Sequence, residues 1–140
     1  MGTTANRGLR YPESTVLANT LHTQIKNLAD DVDAQLFDTG WIALPLIAPW
    51  VNYGGGHRTA AYRRKGGIVY LQGLIMNGPV PGNIAQLPAG FRSSGGAVIF
   101  GTHSNTGLAR IDSMDTGYLT TQGGGNAWMS LAGISFPADA

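Results

Sequence analysis

Apolar side chains recur at intervals of four, three and four in Leu21, Ile25, Leu28 and Val32. This is the spacing of a coiled-coil seam, with Leu21 and Leu28 at d, Ile25 and Val32 at a, and Gln35 at the following d. It predicts a helix over residues 14–39, capped by Ser14 or Thr15 and stopped by Gly40, which suits a left-handed C-terminal position. Branched residues at a with Leu at d formally favour two strands, although two heptads beside a larger β part are a weak test of that rule. Before the helix, residues 1–13 read as an extended arm ending in Tyr11-Pro12, to be held by a neighbouring chain. From Trp41 onward the helical period disappears, and short apolar runs broken by Gly, Pro and Asn take its place. The chain thus divides into an arm (1–13), an oligomerising helix (14–39) and a β head (40–140).

By itself the helix is a poor folding unit. Burying four apolar side chains offsets only part of the entropy lost in ordering its backbone. Asp30, Asp31, Asp33 and Asp38 crowd the negative end of the helix dipole, and the Lys26–Asp30 pair runs in the weaker orientation. Such a helix needs copies of itself or a partner surface.

In the head, residues 60–64 and 68–76 flank Lys65-Gly66-Gly67, a hairpin signature. Along 68–76, Ile68, Tyr70 and Leu74 point one way while Val69, Leu71 and Ile75 point the other, so both faces are apolar. A lone sandwich covers only the inner face of each sheet. The second face is therefore expected to meet another subunit or to lie under a long loop. Further strands are predicted at 41–44, 97–101, 107–114, 117–121 and 127–135, giving about seven or eight short strands, as in a sandwich or jelly roll. The glycine runs at 54–56 and 123–125 mark loops or bulges.

Composition narrows the function classes. A net charge of +1 over 140 residues points to neither nucleic acid nor a membrane surface. Residues 1–40 hold three cations against five carboxylates, and the remainder six against three. Charged residues make up 12% of the chain and glycines number 21, so the surface is either covered by partner subunits or rich in Ser, Thr, Asn and Gly. The chain has no cysteine, which excludes disulfides and thiolate metal sites. No apolar run nears the roughly 18 residues of a membrane helix. The first ten residues lack a hydrophobic signal core, so neither secretion nor membrane insertion is expected.

Candidate chemistry is sparse. His57 and His103 lie in Gly-, Thr- and Ser-rich stretches with Ser104 and Asp112 not far off, but no strained nucleophile turn accompanies them. They read as loop surface, and His22 as a solvated residue at e. Asp112 and Asp115 lack the further oxygen ligands of a calcium loop, and Asp115-Thr116-Gly117 reads as hairpin chemistry. Arg63, Arg64 and Lys65 form the one cationic cluster, able to meet an acidic glycan or an acidic protein surface, or to be a solvated hairpin tip. Trp50, Tyr53, Tyr118 and Trp128 are sugar-stacking candidates, because an aromatic face beside polar groups suits a polyol. Trp50 and Tyr53, just before the glycine run, are placed at the surface and Trp128 in the core, with core or subunit interface the competing place for each.

The order of these stretches resembles a known arrangement. GLRYPESTVLANTLHTQIKNLADDVDAQL (8–36), through Gly8, Tyr11, Pro12, Ile25, Leu28, Ala29, Val32 and Asp33, resembles the short segment ahead of C-terminal domains in bacteriophage minor tail and fibre proteins. YRRKGGIVYLQGLI (62–75), IAQLPAGFR (84–92), ARID followed by TGYL (109–119) and NAWMSLAGISF (126–136) resemble the β domains that follow it, especially in phages of actinobacteria. The resemblance implies a homotrimer in the virion, anchored through Arg7, Leu9, Tyr11 and Pro12, and often placed at an adsorption tip. Members of that group are often longer, so the attachment point stays open among tail fibre, baseplate and capsid.

The expected fold is therefore mainly β: a homotrimeric, antiparallel β-sandwich or jelly-roll-like head behind an N-terminal coiled-coil helix. The expected function is non-enzymatic host-surface attachment by a virion protein, with Trp50, Tyr53, Arg63, Arg64 and Lys65 as ligand-binding residues. The competing reading is a capsid decoration protein or head fibre with a structural role. Its partners would be itself, other virion proteins and a host cell-surface glycan; no nucleic acid, membrane, cofactor or metal is expected.

Overall fold

Lys65 and Ile68 face each other across Gly66-Gly67 in the computed structural model, so the hairpin turns on two residues. Their φ values of 58° and 81° are the left-handed pair that such a turn demands and that side chains resist. The structure describes residues 2–3, 8–11 and 18–139. It divides into two compact units, Met1–Phe37 and Asp38–Ala140.

In the first unit β1 (Gly2–Thr3) pairs antiparallel with β2 (Arg10–Tyr11), and α1 spans Ala18–Leu36. Arg10 donates from Nε and Nη2 to the two oxygens of Asp31 at 2.8 and 2.7 Å, and from Nη2 to the Asn27 carbonyl at 3.1 Å. Its backbone N–H adds a third bond to Asp31, at 2.9 Å. The described part of the arm is thus tied to its own helix. These hydrogen bonds from Arg10 draw the Asp31 carboxyl down to about 2. The predicted helix start at Ser14 or Thr15 lies outside the described residues. Leu21, Ile25 and Val32 are exposed in the single chain, and Leu28 is half-buried.

The second unit holds β3 (Ile42–Ala43), β4 (Val51–Asn52), β5 (Ala61–Lys65), β6 (Ile68–Gln72), β7 (Leu74–Met76) and β8 (Gly82–Gln86). After them come β9 (Val98–Ser104), β10 (Gly107–Ser113), β11 (Tyr118–Gly123), β12 (Met129–Ser130) and β13 (Ser135–Pro137). They form a seven-stranded sheet, in the order β4-β7-β12-β9-β10-β11-β8, and a four-stranded sheet, β13-β6-β5-β3. Neighbouring strands run antiparallel in both sheets. Both sheets lay alternate side chains on one core. Tyr62, Val69, Leu71 and Phe136 come from the smaller sheet; Ile75, Ile84, Ile111, Leu119 and Met129 come from the larger. Each such burial is worth roughly 1.5–3 kcal/mol. Phe100 and Phe136, with ring centroids 6.0 Å apart, join the two sheets. The architecture is mainly β and sandwich-like.

Three expectations need correction. Residues 68–76 are two strands, not one: the chain leaves the smaller sheet after β6 and enters the larger with β7. Gly73 makes the transfer, because its φ is 121° and a Cβ there would lie 2.5 Å from the Ala60 Cα. The two-faced pattern survives the break. Val69, Leu71 and Ile75 are buried, Ile68 and Leu74 are half-buried, and Tyr70 is exposed. Residues 127–135 likewise divide, into β12 and the start of β13, in different sheets. Finally, Asp38 and Thr39 belong to the β unit rather than to a helix end. The Thr39 N–H donates to the Arg64 carbonyl at 3.0 Å, and Thr39 Oγ1 accepts the Arg64 N–H at 2.9 Å.

Candidate functional site

Successive residues of a strand face opposite sides, and this separates the cationic cluster. Arg64 shares the inner side with Tyr62 and donates to the Gly90 carbonyl at 2.6 Å and the Asp139 carbonyl at 3.3 Å. Arg63 and Lys65 face outward. The expected triplet is therefore a pair, and Arg64 ties loops together at the margin of the core.

The register assembles the outward face. Arg63 opposes Tyr70, and Tyr70 opposes Ser135. Ile42 pairs with Tyr62, so Trp41, one residue earlier, comes beside Arg63, its ring centroid 5.7 Å from the guanidinium carbon. Trp41 is 42% exposed and Tyr70 39%. With Lys65, Gly133 and Ile134 they line a concavity of about 540 Å³.

Asp38 fixes the centre of this face. Its Oδ1 accepts Arg63 Nε at 2.7 Å and the Gly40 N–H at 2.9 Å, and its Oδ2 accepts Arg63 Nη2 in a close ion pair. Hydrogen bonds from Arg63, then from Gly40, hold the Asp38 carboxyl well below the usual carboxylate range, and the same pairing raises Arg63. Arg63 is thus charge-paired and held over the Trp41 ring, a geometry worth about 0.5–1 kcal/mol in cation–π attraction at an exposed site. Lys65 supplies the remaining positive charge.

The aromatic candidates exchange places. Trp50 is 2% exposed and belongs to the core, a correction to its expected surface role. Its indole lies over Gly78, where a Cβ would come 1.8 Å from the ring. Trp128, assigned to the core, is half-buried at the outer surface beside Tyr53, His57, Leu74 and Ser130. Tyr53 is exposed as expected, with its ring edge-on to His57 at 5.3 Å. Trp41 and Tyr70 are the site residues that sequence reasoning passed over, and the strand pairing that brings them beside Arg63 is their only signal.

Elsewhere the polar side chains serve the fold. His103 and Ser104 alternate on β9, and Ser104 Oγ accepts the Gly125 N–H at 2.9 Å. Asp112 is clamped by Arg110, from Nε and Nη2, both at 2.8 Å. Among the described residues no group of three or more His, Cys, Asp or Glu is placed to hold a metal ion. No described helix is long and apolar enough to cross a membrane. Of the anticipated anchoring residues, Leu9 is half-buried and Tyr11 exposed; Arg7 and Pro12 lie outside the described residues.

No family profile matches the chain, and no curated protein matches it in sequence. Among solved structures it is similar in fold to the receptor binding protein of Listeria phage PSA. That likeness has a TM-score of 0.63 at 16% identity, and covers 91% of this chain and 83% of that one.

Proposed function

We propose that this chain is a bacteriophage virion protein that attaches the particle to the host surface by binding, without catalysis. The observation that carries this reading is the likeness over 91% of the chain to a fold that serves as a phage receptor binding protein. The Trp41–Arg63–Lys65–Tyr70 face supports it, since it offers a ligand two exposed rings, a clamped guanidinium and an exposed lysine. The N-terminal unit joins copies through Leu21, Ile25, Leu28 and Val32, and anchors them through the arm that includes Leu9 and Tyr11. Three copies would bury the apolar row of α1 in a coiled coil. They would also turn three weak sites into one avid head.

Antibody against the chain is expected to label the tail tip of intact virions. Purified full-length chain, added in excess to bacteria that the phage infects, is expected to slow adsorption several-fold. Labelling spread over the capsid shell, with adsorption unchanged, would overturn the reading in favour of a decoration role.

A further inference from the structure

The larger sheet carries a second feature on its outer face. A depression of about 310 Å³ lies among Tyr53, His57, Leu74, Trp128 and Ser130. Another, about 360 Å³, continues from His57, Leu74 and Ser130. A third, about 260 Å³, borders on Ser130 and ends at His103. The shared walls make them one open trough crossing β7, β12 and β9. Leu74 opposes Ser130 in register, while the next residues, Ile75 and Met129, are core. The trough floor is therefore built on rigid strands.

Its chemistry is aromatic and hydroxylic. The indole N–H of Trp128 and the hydroxyl of Tyr53 have no hydrogen-bond partner among the described residues. His57 Nδ1 meets the Gly54 carbonyl at 3.2 Å, which leaves Nε2 for a ligand. Among the described residues no carboxylate lines the trough, and the one guanidinium there, Arg58, donates to Gln72 Oε1 at 2.8 Å. A ring face beside unsatisfied donors suits a pyranose, whose C–H face stacks while its hydroxyls are satisfied. Arg58 keeps its charge, since Gln72 is neutral, but it borders only the middle depression; the ends walled by Trp128 and by His103 hold no carboxylate, ammonium or guanidinium among the described residues, so they give an ionised ligand nothing to offset its desolvation. Each depression lies near or below the lower end of the roughly 300–1,000 Å³ that encloses a drug-sized ligand. Three that adjoin therefore suit successive small rings.

We propose that this trough is a second binding site, for an extended uncharged oligosaccharide, with sugar rings running from Trp128 and Tyr53 toward His103. The proposal rests on the attachment reading and adds a ligand class and a location distinct from the Trp41–Arg63 face. The test titrates the full-length chain with neutral hexose oligomers of one to six units, and with a sialylated oligomer as the acidic comparison, following the tryptophan indole N–H signals by NMR. Binding is expected to tighten several-fold from one unit to three, with the Trp128 signal moving most. Trp128→Ala and Tyr53→Ala are each expected to weaken it about tenfold, and Asp115→Asn, in the β10–β11 turn, to leave it unchanged. Thermal unfolding checks each variant; if Trp128→Ala loses the fold, Tyr53→Ala, at an exposed position, decides alone. No binding of neutral oligomers at millimolar concentration, preference for the acidic oligomer, or parent-like binding by Tyr53→Ala overturns the proposal. Adsorption to host cells separates the two readings. A parent chain that adsorbs, with trough variants adsorbing equally, removes the trough alone, whereas a parent that fails to adsorb removes the attachment reading.

Discussion

Asp38 directly follows the helical unit yet works for the β unit. Its carboxylate holds the Arg63 guanidinium beside Trp41, and its titration reports whether that clamp exists. Because its acidity is enhanced in the folded state, the clamp's contribution is complete above the ordinary value of 3.8 and is lost only as pH falls through the lowered midpoint. An NMR titration of the Asp38 carboxyl is therefore expected to give a midpoint clearly below 3.8, accompanied by a change in the Arg63 Nε signal. A midpoint at the ordinary value would remove the clamp from the site. Trp50 and Gly78 show the same dependence on a distant partner. A tryptophan before three glycines reads as surface, but the missing Cβ of Gly78, far along the chain, opens the slot that buries it.

Among the elements, the two-residue turn at Gly66-Gly67 and the alternation Val69, Leu71, Ile75 are legible because they depend on neighbours in sequence. The division of 68–76 is not, because alternation continues unbroken while the chain changes sheets. Only the close approach of the Ala60 backbone marks the spot. Gly73→Ala would add a Cβ into that backbone at a φ of 121°. It is expected to destabilise the β unit by about 2–4 kcal/mol, read as a lowered denaturant midpoint with an unchanged slope. An unchanged midpoint would mean that β6 and β7 are not fixed by this contact. Strand β8 is not legible because Gly82, Asn83 and Ala85 lower its intrinsic strand preference; burial of Ile84 and Ala85 in the core offsets this.

For the whole molecule, the apolar surface left open on one chain is the main physical fact. Ile25 is 54% exposed on α1, and Leu21 and Val32 of the same row are exposed with it. Light scattering at micromolar concentration is expected to give three times the chain mass, and Ile25→Asp is expected to reduce it to one. A parent chain that is monomeric at that concentration would end the trimer reading. Periodicity was enough to establish a helical segment with an apolar row, a β unit of short antiparallel strands and a glycine-turned hairpin, since each follows from spacing along a few residues. Which tryptophan is core and which is surface, where the chain crosses between sheets, and which carboxylate clamps Arg63 were settled by tertiary structure. Those outcomes depend on contacts between residues 25 or more positions apart, or on one backbone segment passing within van der Waals distance of another, and local pattern carries no record of either.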